Sequence, residues 1–304
     1  MGILNSKEIK MPFKKILVCI DFSNITESVV NSSLFLSKTF NCEVCLFHVI
    51  EPPIIAIYED PFLSLDNQEV VLELEEILIE KFKAELEKFK ERFDNVGVKA
   101  NVDVEVGNIV DTILDYAEAN NYDLIMLGSH SEGLFEKLIL GSITERILNK
   151  TKISTLVVKG EAINKIEKLL CGYDFLPNSK LALETAVKIA KITDAELEVL
   201  HAEYETWLTH LAGIYEEVYK KKIKLLNDLE KEIKEKEGIK IQAKIEKGKP
   251  EKVIIKEIEE FNPDITVLGK RERKELKRLL IGTVALKVVK NSPKSVLIVK
   301  RGEN

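Results

Sequence analysis

The stretch Asp123–Ser142, DLIMLGSHSEGLFEKLILGS, holds an apolar run, a glycine where the run ends, a polar turn, and a second glycine followed by a hydroxyl and a helix-like segment. It occurs twice. Asp264–Thr283, DITVLGKRERKELKRLLIGT, lines up with it at a constant offset of 141 residues (264 − 123), so Gly128 falls on Gly269, Gly141 on Gly282 and Ser142 on Thr283. Leu124–Leu127 and Ile265–Leu268 read as strands of a buried parallel sheet. A glycine at the carboxyl end of such a strand lets the backbone turn sharply and lets another group approach closely. The second glycine and its hydroxyl gather free backbone N–H groups and the positive end of a helix dipole at one point, which is an anion site, usually for phosphate. The same residues also have a structural reading, because Ser142-Ile143-Thr144-Glu145 is a capping-box pattern.

Outward from that stretch, the first half alternates strand and helix. Lys14–Asp21 reads as a strand ending in an acid, Ser28–Phe40 as a helix and Glu43–Ile50 as a strand. A proline-bearing loop, Glu51–Asp66, precedes a long amphipathic helix over Glu69–Phe93. Val98–Val106 alternates like a strand, Val110–Ala119 is a short helix, Ser142–Lys150 a further helix and Ile153–Lys159 the last strand. Strand–helix alternation of this kind calls for a parallel sheet covered by helices on both faces.

The second half repeats the order. Lys168–Phe175 matches Lys15–Phe22 at an offset of 153, and His201 matches His48. By Gly107 and Gly248 the offset has become 141, so the second copy is twelve residues shorter (153 − 141), within the loop and long helix of that region. The chain reads as a tandem duplication with domains at 13–160 and 164–301. Asp21 and Asp174 each end a first strand. In a doubly wound sheet, ligands sit beyond the carboxyl ends of strands where the winding reverses. An acid there can accept from an adenine amine or a ribose hydroxyl. It can equally cap the turn that follows.

The bulk numbers agree with two compact domains. The 304 residues are 45% hydrophobic and 32% charged, with a net charge of −6, so there is no global basic field for nucleic acid or anionic lipid. Four cysteines make no disulfide scaffold, and Cys42 and Cys45, a CxxC placed in a strand, read as small buried side chains. No apolar run approaches membrane-spanning length and the charged start does not resemble a signal peptide, so the expected location is cytoplasmic.

On KILVCID-FS, the LFHVI strand, VEVGN before a helix and the doubled strand–glycine stretch, the chain resembles the universal stress protein family in its tandem form, from Phe13 to Arg301. The resemblance implies an α/β fold of two doubly wound domains, each with five parallel strands, of the adenine nucleotide alpha hydrolase-like type, and dimers or pseudo-dimers formed through the last strand. It also implies ATP, with Mg, between the first and fourth strands of nucleotide-binding members. Those members carry glycine, two residues, glycine, nine residues, glycine, then serine or threonine. Carried over by position, the first-half ligand set is Asp21, Phe22, Ser23, Val49, Gly128, His130, Ser131, Gly141 and Ser142, and the second-half set is Asp174, Gly269, Gly282 and Thr283. Both halves depart from the motif at the middle glycine, which is Ser131 in one and Glu272 in the other. Serine is small and donates hydrogen bonds, whereas Glu272 puts negative charge where a triphosphate would lie. The basic run Lys270–Arg278 reads as a solvated helix face.

No Walker loop, no acid at the end of the third strand, and no nucleophile–base–orienter set is visible. Two readings of function follow: a regulatory adenine-nucleotide binder with at most slow ATP hydrolysis, and an interaction scaffold with degenerate sites that forms homo-oligomers.

Overall fold

A computed structural model describes residues 11–52, 68–129, 140–204, 212–270 and 282–300. The first half runs β1 (Lys15–Cys19), α1 (Thr26–Phe40), β2 (Glu43–Ile50), α2 (Gln68–Asp94), β3 (Ala100–Val106), α3 (Ile109–Ala119), β4 (Leu124–Gly128), α4 (Ser142–Lys150) and β5 (Ser154–Val158). The second runs β6 (Lys168–Gly172), α5 (Pro177–Thr193), β7 (Glu196–Glu203), α6 (Ala212–Glu237), β8 (Ile241–Lys247), α7 (Pro250–Phe261), β9 (Ile265–Gly269), α8 (Thr283–Asn291) and β10 (Ser295–Val299). The shorter second copy is explained mainly by connections. Seventeen residues join β2 to α2 but eight join β7 to α6, while the two long helices differ by a single residue.

The ten strands form one sheet in the order β3-β2-β1-β4-β5-β10-β9-β6-β7-β8. Every pairing is parallel except the central one, where β5 meets β10 antiparallel with Leu156 opposite Leu297. The two halves therefore pair with each other through their last strands. The expected adjacency of first and fourth strands is present in both, with Leu17 opposite Ile125 and Leu170 opposite Thr266.

Alternate residues of each strand feed opposite faces. Ile16, Val18 and Leu46 join the core under α1 and α2, and this core runs on without a break through Leu169, Cys171 and Leu197 of the second half. Leu17, Cys45 and Val49 face α3 and α4 instead. The acid that opens each copy of the repeated stretch has a defined task at the amino edge of the sheet. Asp123 accepts from the amides of Lys14 (2.8 Å) and Lys15 (3.2 Å), and Asp264 accepts from those of Glu167 (2.7 Å) and Lys168 (3.0 Å). Each aspartate thus supplies the partners that the first residues of β1 or β6 lack at the sheet margin. The segment joining the halves lies on α1, where Ser28 Oγ donates to Gly160 O and Ile163 N donates to Ser32 Oγ, both at 2.8 Å.

Cys45 is buried in β2 and Cys42 is buried one residue before that strand; both are free thiols. Burial pushes the Cys42 thiol up to about 12. No helix among the described residues is long and apolar enough to cross a membrane.

Candidate functional site

At the carboxyl edge of the first half, the chain leaves β1 through a backbone conformation that bulky residues rarely adopt. Phe22 has φ 55° and its counterpart Phe175 has φ 63°. A left-handed non-glycine residue costs about 1–2 kcal/mol, and packing holds it in place. The Phe22 ring lies 4.9 Å from His48 and 5.3 Å from Phe82, and Phe175 lies 4.9 Å from His201. The Phe22 side chain is therefore committed to the core, leaving its backbone to border the edge. His48 donates from Nδ1 to Ile20 O at 2.7 Å, and burial holds its imidazole below the ordinary histidine range.

The exposed Asp21 shapes the same turn. Its Oδ1 accepts from Ser23 N (3.0 Å), Ser23 Oγ (2.7 Å) and Thr26 Oγ1 (3.2 Å). The turn-capping role is thus present in the structure; among the described residues these bonds all reach one oxygen of the carboxylate. Asp174 accepts from Leu176 N at 3.1 Å in the same way. Val49, 7% exposed, buries its side chain against the α3 and α4 face.

The helix start at Gly141 differs from the capping-box pattern. Gly141 itself is the N-cap, α4 begins at the exposed Ser142, and among the described residues no side chain caps the first turn. The Thr144 hydroxyl is turned back onto Gly128 O at 3.3 Å, tying this helix start to the end of β4. A helix amino terminus that no described side chain caps lies on the same edge as Asp21 and Gly128 and offers amide donors and a positive dipole end to an anion. His130 and Ser131 lie outside the described residues, as does Glu272.

The second half repeats the helix start, with Gly282 as N-cap, Thr283 exposed and, among the described residues, no side-chain cap. Its crevice is built differently. Helix α5 begins at Pro177, two residues earlier than the position equivalent to the start of α1 (177 − 153 = 24, against Thr26). That extra length lays main chain on Gly269, where a Cβ would stand 2.5 Å from Asn178 C and 2.9 Å from Ser179 N. Over Gly128 the neighbour is a side-chain methyl, Ile25 Cγ2, at 2.5 Å from such a Cβ. A side chain can swing aside; a helix backbone cannot.

Sequence reasoning passed over Ile25, an apolar residue in a polar turn, and misread Lys270. Lys270 is 2% exposed and its Nζ donates to Leu148 O (3.1 Å), Asn149 O (2.8 Å) and Thr151 O (3.3 Å), so it belongs to no solvated face. The remainder of that basic run lies outside the described residues.

Comparison with known proteins agrees with this architecture. The profile of the universal stress protein family matches residues 12–159 and again residues 165–300. Universal stress protein MJ0577 of Methanocaldococcus jannaschii is 32% identical over 155 residues, covering 48% of this chain and 95% of that protein. Universal stress protein YxiE of Bacillus subtilis is 32% identical over 146 residues, covering 44% and 98%. A universal stress protein structure from Archaeoglobus fulgidus superposes with a TM-score of 0.69 at 24% identity, over 95% of this chain and 98% of that one, a likeness of fold. With a doubled family match spanning both halves and a ten-stranded sheet spliced through the last strands, the chain belongs to the universal stress protein family.

Proposed function

We propose that this protein binds an adenine nucleotide, ATP, in the crevice of the first domain (13–160), and that it acts by binding, in regulation or stress response, and not by turnover. One observation carries the reading. At the amino terminus of α4, Ser142 is exposed and, among the described residues, no side chain caps the turn, beside the ends of β1 and β4. Amides of a first helical turn suit phosphate oxygens, and the neighbouring Asp21 suits a ribose or adenine donor. Among the described residues no group of three His, Cys, Asp or Glu side chains could hold a metal, so Mg²⁺ would arrive on the phosphates. In the second domain (164–301) the main chain of Asn178–Ser179 against Gly269 favours a single nucleotide per chain. The alternative, a scaffold without nucleotide, draws on Asp21 and Phe22 being used by their own turn.

Titration calorimetry with Mg-ATP separates the two. Saturable binding with one site per chain, lost in Gly141→Val while the melting temperature holds, is expected. No saturation of the wild type at millimolar nucleotide would leave the scaffold reading.

A further inference from the structure

Helix α4 carries the proposed phosphate end, yet both of its ends are held from the other half of the chain. At its carboxyl end, the buried Lys270 follows directly after β9, and its amide is fixed by Val299 O at 3.0 Å. From there its ammonium reaches across the seam to the carbonyls of Leu148, Asn149 and Thr151. A cation at the carboxyl end of a helix satisfies the last carbonyls and complements the dipole. At its amino end, Glu145, the acid of the first turn, forms an ion pair at 2.7 Å with Lys290 in the last turn of α8. The reciprocal contact exists as well. Lys159, just beyond β5 and 5% exposed, donates to Ser292 O (2.9 Å) and Lys290 O (3.4 Å) at the end of α8.

The geometry points to Lys270 and Lys290 as positioning residues for the first-half crevice: the second half fixes helix α4 at one end and neutralises its acid at the other, so that the anion-facing turn is completed from across the seam. The consequence for affinity rests on the nucleotide reading above; the hold on α4 does not. Without Lys290, the carboxylate of Glu145 stands uncompensated one turn from the phosphates. Without Lys270, three carbonyls at the base of the helix lose a shared donor, and α4 loses its anchor to β9.

The test uses the full chain as wild type, Lys270→Met, Lys270→Arg, Lys290→Met and the double variant Lys290→Met/Glu145→Gln. Amide hydrogen exchange of residues 142–151 is followed without nucleotide, and Mg-ATP is then titrated. Lys270→Met should speed exchange in α4 and weaken ATP, and Lys270→Arg, which keeps the donors, should restore both. Lys290→Met should weaken ATP about two- to fivefold, the scale of one charge at a helix terminus. Glu145→Gln should recover that loss. Unchanged exchange in Lys270→Met, or a double variant that binds no better than Lys290→Met, overturns the proposal. Faster exchange in Lys270→Met alongside a wild type that binds no ATP upholds the hold on α4 and rejects the nucleotide reading. Should Lys270→Met fail to fold, the partly exposed Lys290 and Glu145 pair decides the matter.

Discussion

The Ser295 hydroxyl accepts a hydrogen bond from the Lys159 amide at 3.2 Å, and the Ser154 hydroxyl accepts one from the Lys300 amide at the same distance. The two pairs are copies of each other at the repeat offset (295 − 154 = 300 − 159 = 141), and they tie together the two ends of the β5–β10 ladder. Ser154→Ala and Ser295→Ala should each lower stability by about 1 kcal/mol, the worth of one buried hydrogen bond. Urea titration of the single and double variants checks this. Losses that add within a few tenths of a kcal/mol would mean that the ends act independently.

Burial pushes the Lys159 ammonium down to about 8, from its ordinary 10.5. The unfolded chain keeps that proton until about 10.5, so between the two values it binds more protons than the folded chain. Stability should therefore rise as pH rises through about 8 to 10.5, by at most about 1.4 kcal/mol per pH unit. Urea midpoints across that range should climb in the wild type and lose this component in Lys159→Met.

The second half holds a buried acid pair. Glu198 of β7 and Glu257 of α7 are both buried, and Lys244 Nζ donates to Glu257 Oε2 at 2.6 Å. Burial, and then the Glu257 charge, raise Glu198 to about 7 from 4.5. Between those values the folded state holds the extra proton, so this group's contribution to stability falls as pH rises from about 4.5 to 7. Glu198→Gln should flatten that fall and leave the protein more stable than the wild type above pH 7, as read from melting temperatures in a pH series.

The two strand-end glycines should respond differently to alanine. At Gly128 the added methyl meets Ile25 Cγ2, which can rotate; at Gly269 it meets the backbone of Asn178 and Ser179. Gly269→Ala should lose at least the 1–3 kcal/mol typical of overpacking, and Gly128→Ala distinctly less. Equal shifts in urea midpoint would show that α5 yields as readily as Ile25.

The fold was legible because each buried strand is a short apolar run bounded by turn residues and the whole pattern repeats. The bounds of β2 and α4 coincide with the sequence reading. β1 ends earlier than expected, at Cys19, because Phe22 turns left-handed and Asp21 folds back on Ser23. The site was less legible. Gly141 and Ser142 stood out through glycine chemistry and repetition. Whether Asp21 serves a turn or a ligand is set by hydrogen bonds to Ser23 and Thr26 that spacing cannot rank. Lys270 sat in a run of like charges, and only a contact made 122 residues away, with Leu148, shows it to be buried. Closure over Gly269 depends on where α5 starts, a shift of two residues that composition does not encode.

The opposed direction of β5 and β10 has a final consequence. It turns the carboxyl margins of the two half-sheets away from one another, so the strand ends at Gly128 and Gly269 lie on opposite edges of the sheet. A change at one strand end therefore meets the other by way of the polypeptide between them, across the β5–β10 seam.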